Sequence, residues 1–177
     1  MGKNWIELLN RQNQIQKILD TNVYSEKYGL VLTDQDAQVL ATERHNSLKE
    51  QRRVEFGQGI MPKLIFAFCD SDYIDQSSYV NILTQLQDIF YLFKNEMMDE
   101  ITDEELIHFM KEQFETICYG DLEYLSGTCL ENFARAIRAG YEDYKDTDGY
   151  GAYRELDEVA RWDCELYRQA LKDLCWK

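Results

Sequence analysis

The sequence predicts a mainly α-helical chain, a single-domain bundle of six or seven helices with at most one small two-stranded β element. Three observations carry this expectation. Apolar residues recur at three- and four-residue steps through most of the chain, the spacing of one helix face. Thr102 to Glu105 and Thr128 to Glu131 both read Thr-x-x-Glu before an amphipathic stretch, the signature of a capping box at a helix start. One proline and nine glycines in 177 residues, with 45% hydrophobic residues, describe a globular composition and not a disordered or fibrous one.

Trp5, Leu8, Leu9, Ile15, Ile18 and Leu19 fall on one side of a first helix that ends near Asp20. Gly29 and the β-prone run Leu30-Val31-Leu32 break that pattern. Thr33 then offers an N-cap, with Asp34 and Asp36 in the first turn of a second helix running to about Arg52. Val54-Glu55-Phe56 alternates apolar and polar before Gly57-Gln58-Gly59, which predicts a short strand or extended turn with Leu30 to Leu32 as its pairing partner. Pro62 suits the first turn of a short helix carrying Leu64, Ile65, Phe66 and Phe68. Being apolar nearly all round, that helix is expected at the centre of the fold.

Asp75, Ser77 or Ser78 caps the next helix, in which Val80, Leu83, Leu86, Ile89, Phe90 and Phe93 repeat up to about Met97. The box at Thr102 opens the run Leu106 to Ile117, Asp121 to Leu125 reads as one short turn, and Phe133, Ala134 and Ile137 carry a helix to Gly140. Residues 1–140 form the expected helical core domain. A Tyr/Asp/Gly-rich loop, 141–153, separates it from an amphipathic helix over 154–177, with Leu156, Val159, Tyr167 and Leu171 on one face to pack on the core or on a partner.

With 33 acidic against 19 basic side chains the formal net charge is -14, which repels phosphate backbones and anionic membrane surfaces. The expected partner is another protein, basic in character, and neither nucleic acid nor membrane. Between Glu96 and Glu131 stand eleven acids against the single base Lys111, without the regular spacing of a duplex phosphate mimic. The longest apolar stretches, Ile60 to Cys69 and Ile89 to Phe93, fall well short of the ~20 residues of a membrane span. The amino-terminal residues lack the apolar region of a secretory signal. The five cysteines form no C-x-x-C pair, and reduced thiols in the cytoplasm are expected.

The segments Tyr28-Gly29-Leu30 with Thr33, Arg53-Val54-Glu55-Phe56-Gly57, Gly59-Ile60, Pro62-Lys63-Leu64 and Phe68-Cys69-Asp70-Ser71 form a recognisable block. It continues through Tyr73-Ile74, Tyr79, Leu86-Gln87, Lys94-Asn95-Glu96 and Gly120 to Leu125. Over residues 24–140 the chain resembles a family of uncharacterised bacterial, Firmicutes-type proteins of unknown function. The resemblance implies a bacterial cytoplasmic origin and carries no activity, cofactor or site.

Three local patterns offer chemistry. Tyr144 to Glu155 can be laid on a twelve-residue calcium loop, with Asp146, Asp148 and Glu155 at ligand positions three, five and twelve. Tyr144 stands where the first aspartate belongs, so calcium binding there is expected to be weak at most, and the bland reading is an interhelical loop. Glu105-x-x-His108 with Glu112 has the spacing of a di-iron helix but lacks the second Glu-x-x-His, since Thr42 precedes His45 at that offset, which favours a solvated acidic face. Cys69-Asp70-Ser71-Asp72-Tyr73 stands at a helix end, where Cys69, Asp70 and Tyr73 are the candidate ligand-binding residues of a pocket near Pro62 to Tyr73. Gly57-x-Gly59 lacks the rest of a phosphate-binding fingerprint and reads as a turn.

No serine or cysteine sits in a nucleophile motif, so no catalytic residue and no cofactor is expected. The expected function is a cytoplasmic interaction or accessory protein. The alternatives are an enzyme or small-ligand binder at the Pro62 to Tyr73 segment, and weak calcium binding at 144–155.

Overall fold

The structure is a computed structural model and describes residues 2–57 and 59–139. The loop 141–153 and the segment 154–177, with the calcium candidates Asp146, Asp148 and Glu155, lie outside the described residues. The fold is mainly helical. Six helices of eight residues or more, and no strand, lie among the described residues. No helix among them is long and apolar enough to cross a membrane. The chain divides into two compact units between Leu92 and Phe93.

The first unit contains α1 (Gly2–Asp20), α2 (Asn22–Ser25), a 3-10 turn (Glu26–Tyr28), α3 (Asp34–Glu50), α4 (Met61–Phe68) and most of α5 (Tyr79–Glu96). α1 packs chiefly on α3. Thr33 caps α3 as expected: its hydroxyl accepts from Asp36 N while Asp36 accepts from Thr33 N, a reciprocal capping box. Ahead of α5, the Asp75 carboxylate accepts from Ser78 N at 2.9 Å and from the Ser77 hydroxyl at 2.7 Å. Met61, Leu64, Ile65 and Phe68 of α4 are buried, whereas Phe66 turns outward and meets the edge of Tyr24 at 5.7 Å.

Leu30-Val31-Leu32 is extended, but its backbone finds side chains instead of a neighbouring strand. The Asn22 carboxamide donates to Leu32 O at 2.9 Å and accepts from Leu32 N at 2.8 Å. Gln76 does the same for Val31, at 2.9 and 2.8 Å. Ser25 accepts from Leu30 N through its carbonyl and donates to Leu30 O through its hydroxyl. A carboxamide presents one donor edge and one acceptor, as a peptide group does, so each amide replaces one rung of a β ladder. The expected pairing with Val54 to Phe56 is therefore absent, and that segment has another role.

The second unit begins at Phe93 and includes α6 (Asp103–Thr116), α7 (Leu122–Tyr124), a π turn (Leu125–Cys129) and α8 (Leu130–Ala139). The predicted capping box opens α6, with Thr102 accepting from Glu105 N and Glu105 from Thr102 N. Phe109 and Phe133 stack at 3.8 Å between centroids, over a core that includes Leu106, Met110, Phe114, Leu130 and Ile137. The loop into α6 turns through Met98 and Asp99, both at positive φ. Buried Lys94 holds it, donating to Ile101 O at 2.7 Å and pairing with Asp103 at 3.0 Å.

Candidate functional site

The most elaborate polar site among the described residues lies in the first unit. α3 carries Arg44 at a core position, one turn beyond Leu40 and Ala41, and leaves it only 7% exposed. α5 contributes Tyr91, fully buried, and the turn after α3 contributes Glu55. One Glu55 oxygen accepts from Arg44 Nη2 at 2.8 Å, from Arg44 Nε at 3.1 Å and from the Tyr91 hydroxyl at 2.6 Å. Arg44 Nη2 also donates to Gly57 O at 3.4 Å.

Burial, and then the neighbouring Glu55 carboxylate, push the Tyr91 phenol well above its usual range, so it stays protonated and donates. Burial pulls the Arg44 guanidinium down, but its bonds to Tyr91 and Glu55 raise it on balance. Gly57 and Gly59 both adopt positive φ, at 89° and 78°. A Cβ on Gly59 would lie 2.6 Å from Arg44 Nε, so that glycine is required twice, for its backbone conformation and for the room it leaves the arginine.

This staple reverses the usual alternation of an exposed extended segment. With Glu55 drawn inward, its neighbours point out: Val54 is 81% exposed and Phe56 is 92% exposed. Phe56, Gly57, Glu55 and Arg44 line one side of a cleft of about 660 Å³. Asn10, Asn13, Gln14 and Lys17 of α1 line the other. A neighbouring hollow shares Asn10, Gln14, Arg44 and Glu55 and reaches Leu8 and Leu48. The apolar stripe of α1 is buried only towards its end: Ile18 is buried, while Trp5 is 64% exposed and Leu8 and Leu9 are also exposed. Carboxamides supply paired donors and acceptors, and the ion pair is self-neutralising, so the cleft suits a neutral hydrogen-bonding ligand such as a peptide backbone better than a phosphate.

The residues singled out in the sequence lie elsewhere. Cys69 is buried at the end of α4 with its thiol 3.9 Å from Phe66 O, Asp70 is exposed, and Tyr73 is exposed with its N–H donating to Ser71 Oγ. None of the three lines the cleft. In the Glu105-His108-Glu112 pattern, Glu105 serves the cap of α6, and His108 and Glu112 lie on an exposed face. The staple was missed, yet its signal is present. Arg44 continues the apolar period Ala37, Leu40, Ala41, and two closely spaced glycines follow on the next turn.

A family model described as a family of unknown function (DUF6323) matches residues 17–143, well over half of the chain. The chain belongs to that family. The matched region contains Arg44, Glu55, Gly57, Gly59 and Tyr91, whereas Asn10, Asn13 and Gln14 precede it, so the staple lies in the family's common region and the carboxamides of the opposite wall do not. No curated protein and no solved structure matches the chain.

Proposed function

We propose that this chain is a cytoplasmic protein of bacterial origin that binds an extended segment of another protein, basic overall, in the cleft of its first unit. The observation that carries the reading is Phe56, held 92% exposed where half-buried Glu55 bonds to buried Arg44 and Tyr91 at the mouth of a carboxamide-lined cleft. Aromatic side chains at the centre of a contact commonly supply most of its binding energy, and a rigid mount lowers the ordering cost of binding. The carboxamides of Asn10, Asn13 and Gln14 can take the backbone of the bound segment as Asn22 and Gln76 take Leu32 and Val31. The net charge of -14 favours a basic partner through steering more than through local contacts.

The test is selection from a random peptide library on immobilised protein, followed by affinities against Phe56→Ser and Asn13→Ala. Enriched peptides with an apolar anchor among basic residues, weakened at least about tenfold by Phe56→Ser, are expected. Enriched peptides indifferent to both substitutions, or a saturable thermal shift with a small metabolite and no enriched peptide, would replace this reading with the ligand-binding one.

A further inference from the structure

The second unit brings two cysteines together. Cys118 follows the last turn of α6, and Cys129 closes the π turn. Their Sγ atoms are 3.7 Å apart, and both are reduced thiols. A π turn holds one residue more than an α turn, which displaces Cys129 around the helix relative to unbroken α winding. On the other side, Tyr119 and Gly120 adopt positive φ and wrap the end of α6, with Gly120 N donating to Phe114 O at 3.0 Å. Both sulfurs are thus placed by local departures from regular helix. Gly127, inside the π turn, has open space where a side chain would stand.

We propose that Cys118 and Cys129 are a redox modification site, closing reversibly to an intramolecular disulfide in exchange with a low-molecular-weight disulfide. A disulfide spans ~2.05 Å, so the sulfurs must approach by roughly 1.7 Å, a movement on the scale of side-chain rotation with a small backbone adjustment. Cys129, the less buried thiol, meets the oxidant first: its thiolate attacks one sulfur of the small disulfide, and one small thiolate leaves. Cys118, as thiolate, then attacks Cys129 Sγ and expels the second. One S–S bond is consumed and one is formed, and the two protons lost by the protein thiols end on the two released small thiols. Burial, and next the neighbouring Cys129, raise the Cys118 thiol to about 12, and burial raises Cys129 as well, so both rest as thiols near neutral pH and exchange quickens as pH rises. The bond ties the end of α6 to the π turn and constrains the segment that exposes Tyr119 and Tyr124.

The experiment uses the full chain with all five cysteines, incubated with oxidised glutathione at about pH 8, alkylated, digested without reduction and mapped by mass spectrometry. The expected product is a Cys118–Cys129 linked peptide that dithiothreitol removes. Cys118→Ala should instead accumulate a glutathione adduct on Cys129, and Cys129→Ala should slow thiol loss at Cys118 at least about tenfold. Circular dichroism reports whether each variant folds. If one does not, the wild-type map alone decides. A stable glutathione adduct on Cys129 in the wild type, links confined to other cysteines, or no reaction of the folded protein would each overturn the proposal.

Discussion

The two units handle polarity in opposite ways. Through Leu92 the chain carries twelve acids and nine bases, and the first unit takes much of its polar chemistry inside: Thr21, Ser25, Arg44, Ser47, Ser71 and Gln87 are all buried there. Over residues 93–139 there are eleven acids and four bases, and Lys94 is the one buried polar residue described. The first unit depends on specific hydrogen bonds, because removing one partner leaves a buried polar group unpaired, which costs more than the bond contributes. The second is closer to an apolar core under a charged coat, with one capping box at Thr102 and one buried lysine organising the loop into α6, while Thr128, expected to open a second box, lies inside the π turn. Substitutions that remove single polar contacts should therefore be more damaging in the first unit.

The sharpest way to break the contrast is Glu55→Ala, which leaves Arg44 and Tyr91 buried without their shared acceptor. A loss of about 3–5 kcal/mol is expected by urea denaturation. Pairing it with Arg44→Met should recover part of that loss, because the buried charge goes too. Full loss in the double variant would mean that the cluster acts through packing alone. Next comes Gly59→Ala, which forces a side chain into a positive-φ position and against the Arg44 guanidinium. A cost of about 2 kcal/mol or more is expected, with accelerated proteolysis at the Arg52 and Arg53 turn as a local readout.

Asn22→Leu removes both bonds to the buried Leu32 backbone and should cost about 2 kcal/mol. In the second unit Thr102→Ala removes one capping hydroxyl at an exposed helix start and should cost about 1 kcal/mol. Equal losses from these two would erase the distinction between the units.

The smallest expected effect is at Glu43. Partial burial first, then its bond and like charge with Asp88, hold its carboxyl above the usual value of 4.5. The folded chain thus binds that proton more tightly than the unfolded chain, so the contribution to stability is full at acidic pH and is lost as pH rises through the folded value. Glu43→Gln should stabilise the fold slightly at pH 7, by less than about 1 kcal/mol and read as a small rise in melting temperature, and make no difference below about pH 4. A stabilisation that persists at the acidic end would point to packing and not to charge.

Local signals were legible where a residue acts on its own helix. Thr33, Thr102 and Pro62 mark helix starts because an N-cap or a first-turn proline answers to backbone within one turn, and the observed boundaries follow them. The alternation at Val54-Glu55-Phe56 is present in the fold, with Val54 and Phe56 exposed and Glu55 turned inward, but its neighbour is not Leu30 to Leu32. A period of two says which residues share a face and leaves open which face is buried. Here Arg44, distant in sequence, draws the polar face inward. The candidate trio at Cys69, Asp70 and Tyr73 rested on chemistry-bearing residues clustered in sequence, whereas the cleft is assembled from α1, α3 and the turn at Glu55.

The sequence by itself determined the helical class, the helix starts at Thr33, Pro62 and Thr102, the acidic character and the family, because each depends on composition or on contacts within a few residues. Only the tertiary structure decided that two carboxamides stand in for a β ladder at Leu30 to Leu32, that Glu55 turns inward and Phe56 outward, and that Cys118 meets Cys129. Those outcomes turn on which donors, acceptors and sulfurs meet across ten to forty-five residues of chain, as from Asn22 to Leu32 and from Val31 to Gln76. Helical periodicity carries no record of such meetings.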